Sequence, residues 1–151
     1  MDNSGKQSTG AESASLDRET IDAIVGGRLG DSSEVLGLHA NPSGKGLVIR
    51  AWIPGAQNVD VIAPGGRKIA SLDCIHEAGL FAKQFRNRKN RFEYRLRIDE
   101  ARVEDDPYRF AGGVQDDDLY LFAEGSSEHA YRWMGAHGAN REGVDGVQFV
   151  V

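Results

Sequence analysis

The acidic triplet Asp116-Asp117-Asp118 places three ionisable side chains next to one another. A calcium-binding loop needs alternating acids, a glycine and a closing glutamate, and the triplet lacks that pattern. A catalytic pair of carboxylates needs a set separation across the reacting bond, which adjacent residues do not supply. Acidic side chains stabilise the positive N-terminal end of a helix. We therefore interpret the triplet as the start of a short helix rather than as a catalytic or metal site.

Histidine and cysteine give no stronger indication of a reactive centre. The single cysteine, Cys74, cannot form an internal disulfide, and it lies in a strand-like run beside an acid. We expect it to be an inert, buried thiol. The histidines are dispersed without the spacing of metal ligands, so we predict no metal site. They are His39, His76, His129 and His137.

Aromatic side chains are the residues best suited to hold a sugar, because their flat faces stack on the apolar faces of pyranose rings. Among Trp52, Tyr94, Tyr108 and Trp133, we take Trp52, Tyr94 and Trp133 as the candidate carbohydrate-binding residues. Trp52 alternates with the apolar positions of the run 47–53, so it lies on the outer face or at the end of a sheet. The alternative is that these rings pack in the core, as aromatic residues of small sandwiches commonly do. No catalytic residue is assigned.

Short apolar runs bounded by glycine and proline indicate β-strands. The two runs at 80–85 and 92–98 flank a polar tip and predict a hairpin, with its basic residues 86–91 facing solvent rather than contacting phosphates. With few helices between the strands, the pattern predicts an all-β fold, an antiparallel β-sandwich with a short N-terminal helix and a short helical linker. Strands are predicted at 47–53, 58–62, 68–73, 80–85, 92–98 and 101–104.

Composition limits the partners of the chain. A net charge of −5 argues against a nucleic-acid partner, which usually requires a basic excess. The N-terminus has no apolar stretch of the kind that forms a signal peptide. No run approaches the roughly 20 apolar residues that span a membrane. We therefore expect a cytoplasmic protein without a nucleic-acid or membrane partner.

A short pattern occurs twice in the chain. Gly37-Leu38-His39 and Gly135-Ala136-His137 each follow an apolar residue and precede a glycine and an apolar strand. If the two are copies, the chain contains one sandwich and the opening of a second, and we expect it to be a fragment of a longer protein. The expected organisation is a disordered tail at 1–15, a short helix at 16–27, a sandwich at 31–110, a linker at 111–133 and the truncated start of a second sandwich at 134–151.

The segment Val35–His39 resembles the V-L-G-x-H opening of bacterial 1,4-alpha-glucan (glycogen) branching enzymes, members of the alpha-amylase superfamily. Further segments resemble motifs of the same family in order and spacing, and the resemblance spans Val35–Val151. These segments are Arg50–Ala56, Gly79–Phe81, Tyr94–Leu96, Asp106–Phe110, Asp118–Gly125, Gly135–His137 and Gly143–Phe149.

The resemblance implies an immunoglobulin-like sandwich, followed in such enzymes by a carbohydrate-binding sandwich and a catalytic TIM barrel. The barrel cleaves an alpha-1,4 linkage and transfers the released chain to a 6-hydroxyl, with no cofactor or metal, by a retaining mechanism. Because the barrel motifs are absent from this sequence, we expect the chain alone to be inactive. The implied partners are alpha-1,4-glucan (glycogen) and the C-terminal domains of the same enzyme.

Three roles remain open from the sequence. The first is a module that positions glucan or influences the length of the transferred chain. The second is a structural module that packs against other domains and binds no ligand. The third is an unrelated immunoglobulin-like module that binds a protein.

Overall fold

The computed structural model describes residues 16–42, 44–110, 114, 116–141 and 143–151. The tail predicted at 1–15 lies outside the described residues, as does part of the linker predicted at 111–133. The chain divides into two compact units, Met1–Arg109 and Phe110–Val151. Among the described residues, no helix is long and apolar enough to cross a membrane.

The first unit contains two four-stranded antiparallel sheets, with strand orders β1-β2-β6-β5 and β4-β3-β7-β8. The predicted all-β sandwich is therefore confirmed. Its elements are α1 (Arg18–Val25), a 3-10 turn at Ser32–Glu34, β1 (Gly37–Ala40), β2 (Leu47–Trp52), β3 (Val59–Ile62), β4 (Lys68–Ser71), β5 (Asp73–His76), β6 (Leu80–Phe85), β7 (Arg95–Ile98) and β8 (Arg102–Glu104).

Strand β2 is buried on both faces. As the alternation predicts, Leu47, Ile49 and Ala51 point into the core between the sheets. The opposite face is also covered, because α1 packs Ile24 against Leu80 and neighbouring apolar side chains. The helix begins at a capped end, where the side chain of Asp17 accepts a hydrogen bond from the Thr20 amide at 2.9 Å. A helix therefore shields the outer face of this sheet from water.

The predicted hairpin at 80–98 is wrong, because its two strands belong to different sheets. Strand β6 pairs with β2 and β5, whereas β7 pairs with β3 and β8. The connection between them is held by side chains rather than by a tight turn. The guanidinium of Arg91 donates to the carbonyl oxygens of Leu38 at 2.6 Å and Arg109 at 2.9 Å. Phe92 packs against Phe85 with a centroid separation of 5.5 Å.

The strand predicted at 68–73 is also wrong, because the chain changes sheets inside it. Strand β4 ends at Ser71 and pairs with β3, while β5 begins at Asp73 and pairs with β6. Leu72 lies between the two strands, buried in the core, and its amide donates to the Val59 carbonyl at 2.8 Å. Leu72 is buried between the sheets at this crossover, and the chain makes no turn there. The sequence therefore has no glycine or proline at this point to mark the change of sheet.

The second unit repeats the opening of the first, with its helix, its 3-10 turn and the start of its first strand each displaced by 98 residues. Helix α2 (Asp116–Ala123) corresponds to α1, and a 3-10 turn at Ala130–Arg132 corresponds to the one at Ser32–Glu34. A strand that begins at Gly135 corresponds to β1. Each helix ends with the same pair of backbone hydrogen bonds, around glycines of positive φ at Gly27 and Gly125. The unit closes with an antiparallel hairpin of β9 (Gly135–Arg141) and β10 (Val144–Val150).

The Gly-x-His pattern has the same structure in both units. Gly37 and Gly135 have φ values of 95° and 93°, a region that favours glycine. The Nε2 atoms of His39 and His137 lie 2.8 and 2.7 Å from the carbonyl oxygen three residues earlier. The predicted repeat is therefore confirmed in its local structure, and it extends upstream to include a helix that the pattern did not reveal.

Candidate functional site

One end of the sandwich carries two adjoining depressions, of about 250 and 320 Å³. They share Ile53 and Pro54, which follow β2, together with Ile98 and Arg102, which flank the β7–β8 turn. Because the two adjoining depressions share these four residues, we treat them together and call them the end groove.

The two walls of the end groove are fastened together at the β7–β8 turn. Asp99 and Glu100 have φ values of 48° and 60°, where a residue with a side chain is disfavoured. The carboxylate of Asp99 offsets this cost, because it accepts hydrogen bonds from the amides of Gln57 and Asn58, each at 2.8 Å. Those amides directly follow residues 53–56, which line the groove, so the two bonds tie the β7–β8 turn to that segment.

Two aromatic side chains line the end groove beside its polar rim. Trp52 and Tyr108 are half-buried and pack against the buried pair Leu36 and Leu80. The indole Nε1 of Trp52 donates to the Ala78 carbonyl at 3.2 Å. This bond fixes the ring and uses its polar atom, so Trp52 offers the groove an apolar surface only.

The rim of the end groove carries charged side chains of both signs. Arg102 Nε lies 2.8 Å from a carboxylate oxygen of Glu104, and both side chains remain about half exposed or more. Asp105 pairs with Arg95 at 3.2 Å. Guanidinium groups donate and carboxylates accept, so the rim can hydrogen-bond to a ligand rich in hydroxyl groups without selecting for charge.

The base of the end groove is closed by a buried polar network. Asp106 is 1% exposed and accepts a hydrogen bond from the Tyr94 hydroxyl at 2.6 Å. The guanidinium of Arg109, 2% exposed, donates to the Tyr94 carbonyl at 3.1 Å. Burial raises the pKa of Asp106 above its ordinary value, and burial likewise raises the pKa of Tyr94. The network positions the segment that carries Tyr108.

The three aromatic side chains that the sequence suggests as carbohydrate-binding residues lie in three different environments. Trp52 lines the end groove, whereas Tyr94 is fully buried and exposes no ring face, so Tyr94 cannot stack on a sugar. Trp133 lines a cavity of its own in the second unit. Sequence reasoning missed Arg102 and Glu104, although alternating charges on a short edge strand beside Asp105 signal an exposed polar rim.

Cys74 is exposed, so the prediction of a buried thiol is wrong. It lies on β5, the edge strand of its sheet, where alternate side chains face solvent. Its thiol donates to the carbonyl of His76 at 3.3 Å. In the part of the chain that the structure describes, no group of three or more His, Cys, Asp or Glu residues is placed to hold a metal ion.

Known proteins match the chain along most of its length. Residues 17–108 match the family model described as alpha-1,4-glucan branching enzyme GlgB, N-terminal domain. The chain is 44% identical over 133 residues to the 1,4-alpha-glucan branching enzyme GlgB of Shewanella sp. (strain MR-4). It is 41% identical over 133 residues to the corresponding protein of Shewanella baltica (strain OS223). Each alignment covers 85% of this chain and 18% of the relative, so the chain spans less than a fifth of their length.

Proposed function

The chain belongs to the family of N-terminal domains of the alpha-1,4-glucan branching enzyme GlgB, and from that premise we propose that it is the non-catalytic N-terminal module of a glycogen branching enzyme. Such an enzyme transfers alpha-1,4-glucan segments to form alpha-1,6 branches. The module holds or steers glucan and thereby influences the length of the transferred chain. The observation that carries the proposal is the family match over residues 17–108. The proposed partners of the module are glycogen in the cytoplasm and the later domains of the same enzyme.

The end groove is the proposed place where glucan lies. Trp52 and Tyr108 offer apolar surface for the faces of glucose rings. Arg102 and Glu104 supply a donor and an acceptor to sugar hydroxyls. Binding by stacking and a few hydrogen bonds is weak for one short chain, which suits a module that guides a substrate rather than retaining it.

The chain alone is proposed to lack branching activity. Retaining transfer needs one carboxylate as the nucleophile. It also needs a second carboxyl group, whose pKa is raised, as the acid. At the end groove, burial raises the pKa of Asp106, but its carboxylate is 1% exposed and hydrogen-bonded to Tyr94. Glu104 and Asp105 are exposed and paired with arginines. These contacts favour a binding role.

We further propose that the second unit is the opening of a second sandwich. Its hairpin places Phe149 opposite Ala136, as the first unit places Ile49 opposite Leu38. Ile49 is buried in the core of the first unit, whereas Phe149 is 72% exposed. An apolar strand face of this kind is normally covered by a facing sheet. Amide hydrogen exchange of β10 should therefore slow when the later domains are present.

A blocked groove should abolish binding of glucan by the first unit. Ala101 is exposed and lines the end groove, so Ala101→Trp fills it without disturbing the core. Electrophoresis in gels that contain glycogen should show at least a tenfold weaker retardation of Ala101→Trp. Arg102→Ala removes one charged donor and should weaken retardation about threefold to tenfold.

Arg67→Ala is the matched control, because Arg67 is an exposed arginine on the β3–β4 turn, away from the groove. It should migrate like the unaltered chain. Equal retardation of the control and both groove variants would show that glucan binds elsewhere. No retardation of the unaltered chain at all would leave the structural, non-binding role as the correct one.

A further inference from the structure

The second unit contains a cavity of about 490 Å³, lined by residues 121, 126–129, 132 and 133. We propose that this cavity, the Trp133 cavity, is a second binding subsite for a neutral alpha-linked glucose chain. The proposal rests on the proposed function, since it supposes that the module handles glucan. It adds a separate place where a chain is held, with its own residues and its own test.

The walls of the Trp133 cavity are fixed by backbone structure. Helix α2 ends where the amide of Gly125 donates to the Phe122 carbonyl and the amide of Ser126 donates to the Leu121 carbonyl, each at 3.0 Å. The following 3-10 turn returns the chain and places the Trp133 ring against Phe122, with centroids 5.6 Å apart and planes at 79°. The indole is therefore held in place before any ligand arrives, which lowers the entropic cost of stacking on it.

Some polar groups at the cavity remain available to a ligand, although the Ser126 hydroxyl donates to the Leu121 carbonyl and the Arg132 guanidinium lies 6.0 Å from the centre of the Tyr131 ring. Among the described residues, neither Glu128 nor Arg132 forms an ion pair, and the indole N–H of Trp133 donates no hydrogen bond. Trp52 differs, because its N–H is already bound to Ala78. A guanidinium, a carboxylate and an indole N–H beside one aromatic ring match a sugar, which presents hydroxyl groups around an apolar face.

The repeat shows that the fold does not require this chemistry. The positions equivalent to His129 and Trp133 are Asp31 and Val35 in the first unit. Asp31 caps its 3-10 turn by accepting from the Ser33 amide at 2.8 Å, and Val35 packs into the apolar cluster beneath α1. His129 makes no such side-chain cap. The second unit thus gives up a stabilising cap and an aliphatic contact, and it gains an aromatic ring at an open cavity.

The charges favour a neutral ligand over an anion or a cation. Glu128 and Arg132 line the same cavity and have opposite signs, so the carboxylate opposes binding of a phosphate and the guanidinium opposes binding of a cation. A volume near 490 Å³ falls among small-molecule sites, which span about 300–1,000 Å³. Hydroxyl-rich, uncharged chains fit both conditions.

An NMR titration with maltoheptaose tests the proposal, because the chain has two tryptophans and therefore two indole N–H signals. We expect saturable shifts of the Trp133 indole and of the amides around residues 126–133. Glu128→Gln and Arg132→Ala alter exposed side chains and should each weaken this response about threefold to tenfold. Glu93→Gln, an exposed carboxylate of the first unit, is the control and should leave it unchanged.

The two tryptophans keep this proposal separate from the proposed function. A response at Trp52 with none at Trp133 would overturn the second subsite and leave the end groove intact. A response at Trp133 that survives both variants would also overturn it, since the named side chains would then play no part. Equal shifts with cellohexaose, whose linkages are beta, would overturn the assigned ligand class.

Discussion

Replacing Asp106 with alanine is expected to reduce the free energy of unfolding by roughly 3–5 kcal/mol, a large part of the total for a domain of this size. The carboxylate is 1% exposed and accepts from the Tyr94 hydroxyl at 2.6 Å and the Tyr108 amide at 2.9 Å. Its removal leaves the buried Tyr94 hydroxyl without its acceptor and takes one negative charge from the surroundings of the buried Arg109 guanidinium, which keeps the more exposed carboxylate of Asp105 at 3.8 Å. Urea unfolding followed by tryptophan fluorescence measures the loss.

The neighbouring carboxylate gives the control for this result. Asp105 is 47% exposed and pairs with Arg95, so Asp105→Ala should cost about 1 kcal/mol or less. Tyr94→Phe removes only the hydroxyl and should cost about 1–2 kcal/mol. Similar losses for Asp106→Ala and Asp105→Ala would contradict the view that a buried network closes the base of the end groove.

Gly79→Ala is expected to cost about 3 kcal/mol or more, the second large effect. Gly79 has a φ of 88°, and a Cβ atom there would lie 2.4 Å from the Ile53 carbonyl oxygen. The same glycine accepts a hydrogen bond from the Ile53 amide at 2.8 Å, so the two backbones cannot separate without losing that bond. Both the left-handed conformation and the collision oppose alanine. Thermal unfolding should show a markedly lower midpoint.

Gly66→Ala separates the two causes. Gly66 has a similar φ of 84°, but no heavy atom lies within 4 Å of the position that its Cβ would occupy. Alanine there should cost only the conformational penalty, about 1–2 kcal/mol. If the two substitutions lowered stability equally, the close approach of Gly79 to Ile53 would not be part of the folded state.

Local patterns in the sequence predict the strands well and their pairing poorly. Alternation along 47–53 correctly assigns Leu47 and Ile49 to the core, because side-chain direction repeats every two residues. Which strands pair depends on contacts distant in sequence. The hydrogen bonds of Arg91 to Leu38 and Arg109 hold β6 and β7 in separate sheets, and no local signal reveals them.

The candidate site was predictable only in part, for a related reason. Trp52 and Tyr94 both lie in strand-like runs, yet one lines a groove and the other is buried. Alternation gives the face of a sheet, but it does not tell whether a helix such as α1 covers that face. The repeat shows the same limit. Its two Gly-x-His motifs are visible in the sequence, but the repetition of the helices that precede them is not. The helices α1 and α2 have no identical residue at equivalent positions.

The most direct test of the proposed function is a graft. The aligned stretch of the Shewanella sp. (strain MR-4) relative is replaced by this chain, and the chain lengths of its product are measured after enzymatic debranching. The graft should reproduce the profile of the intact relative, and Ala101→Trp within it should shift the profile toward that of the relative with the stretch deleted. The contrary result is a folded, active graft that gives the same chain-length profile as the relative with the stretch deleted, both with and without Ala101→Trp. That result would contradict a role in positioning glucan.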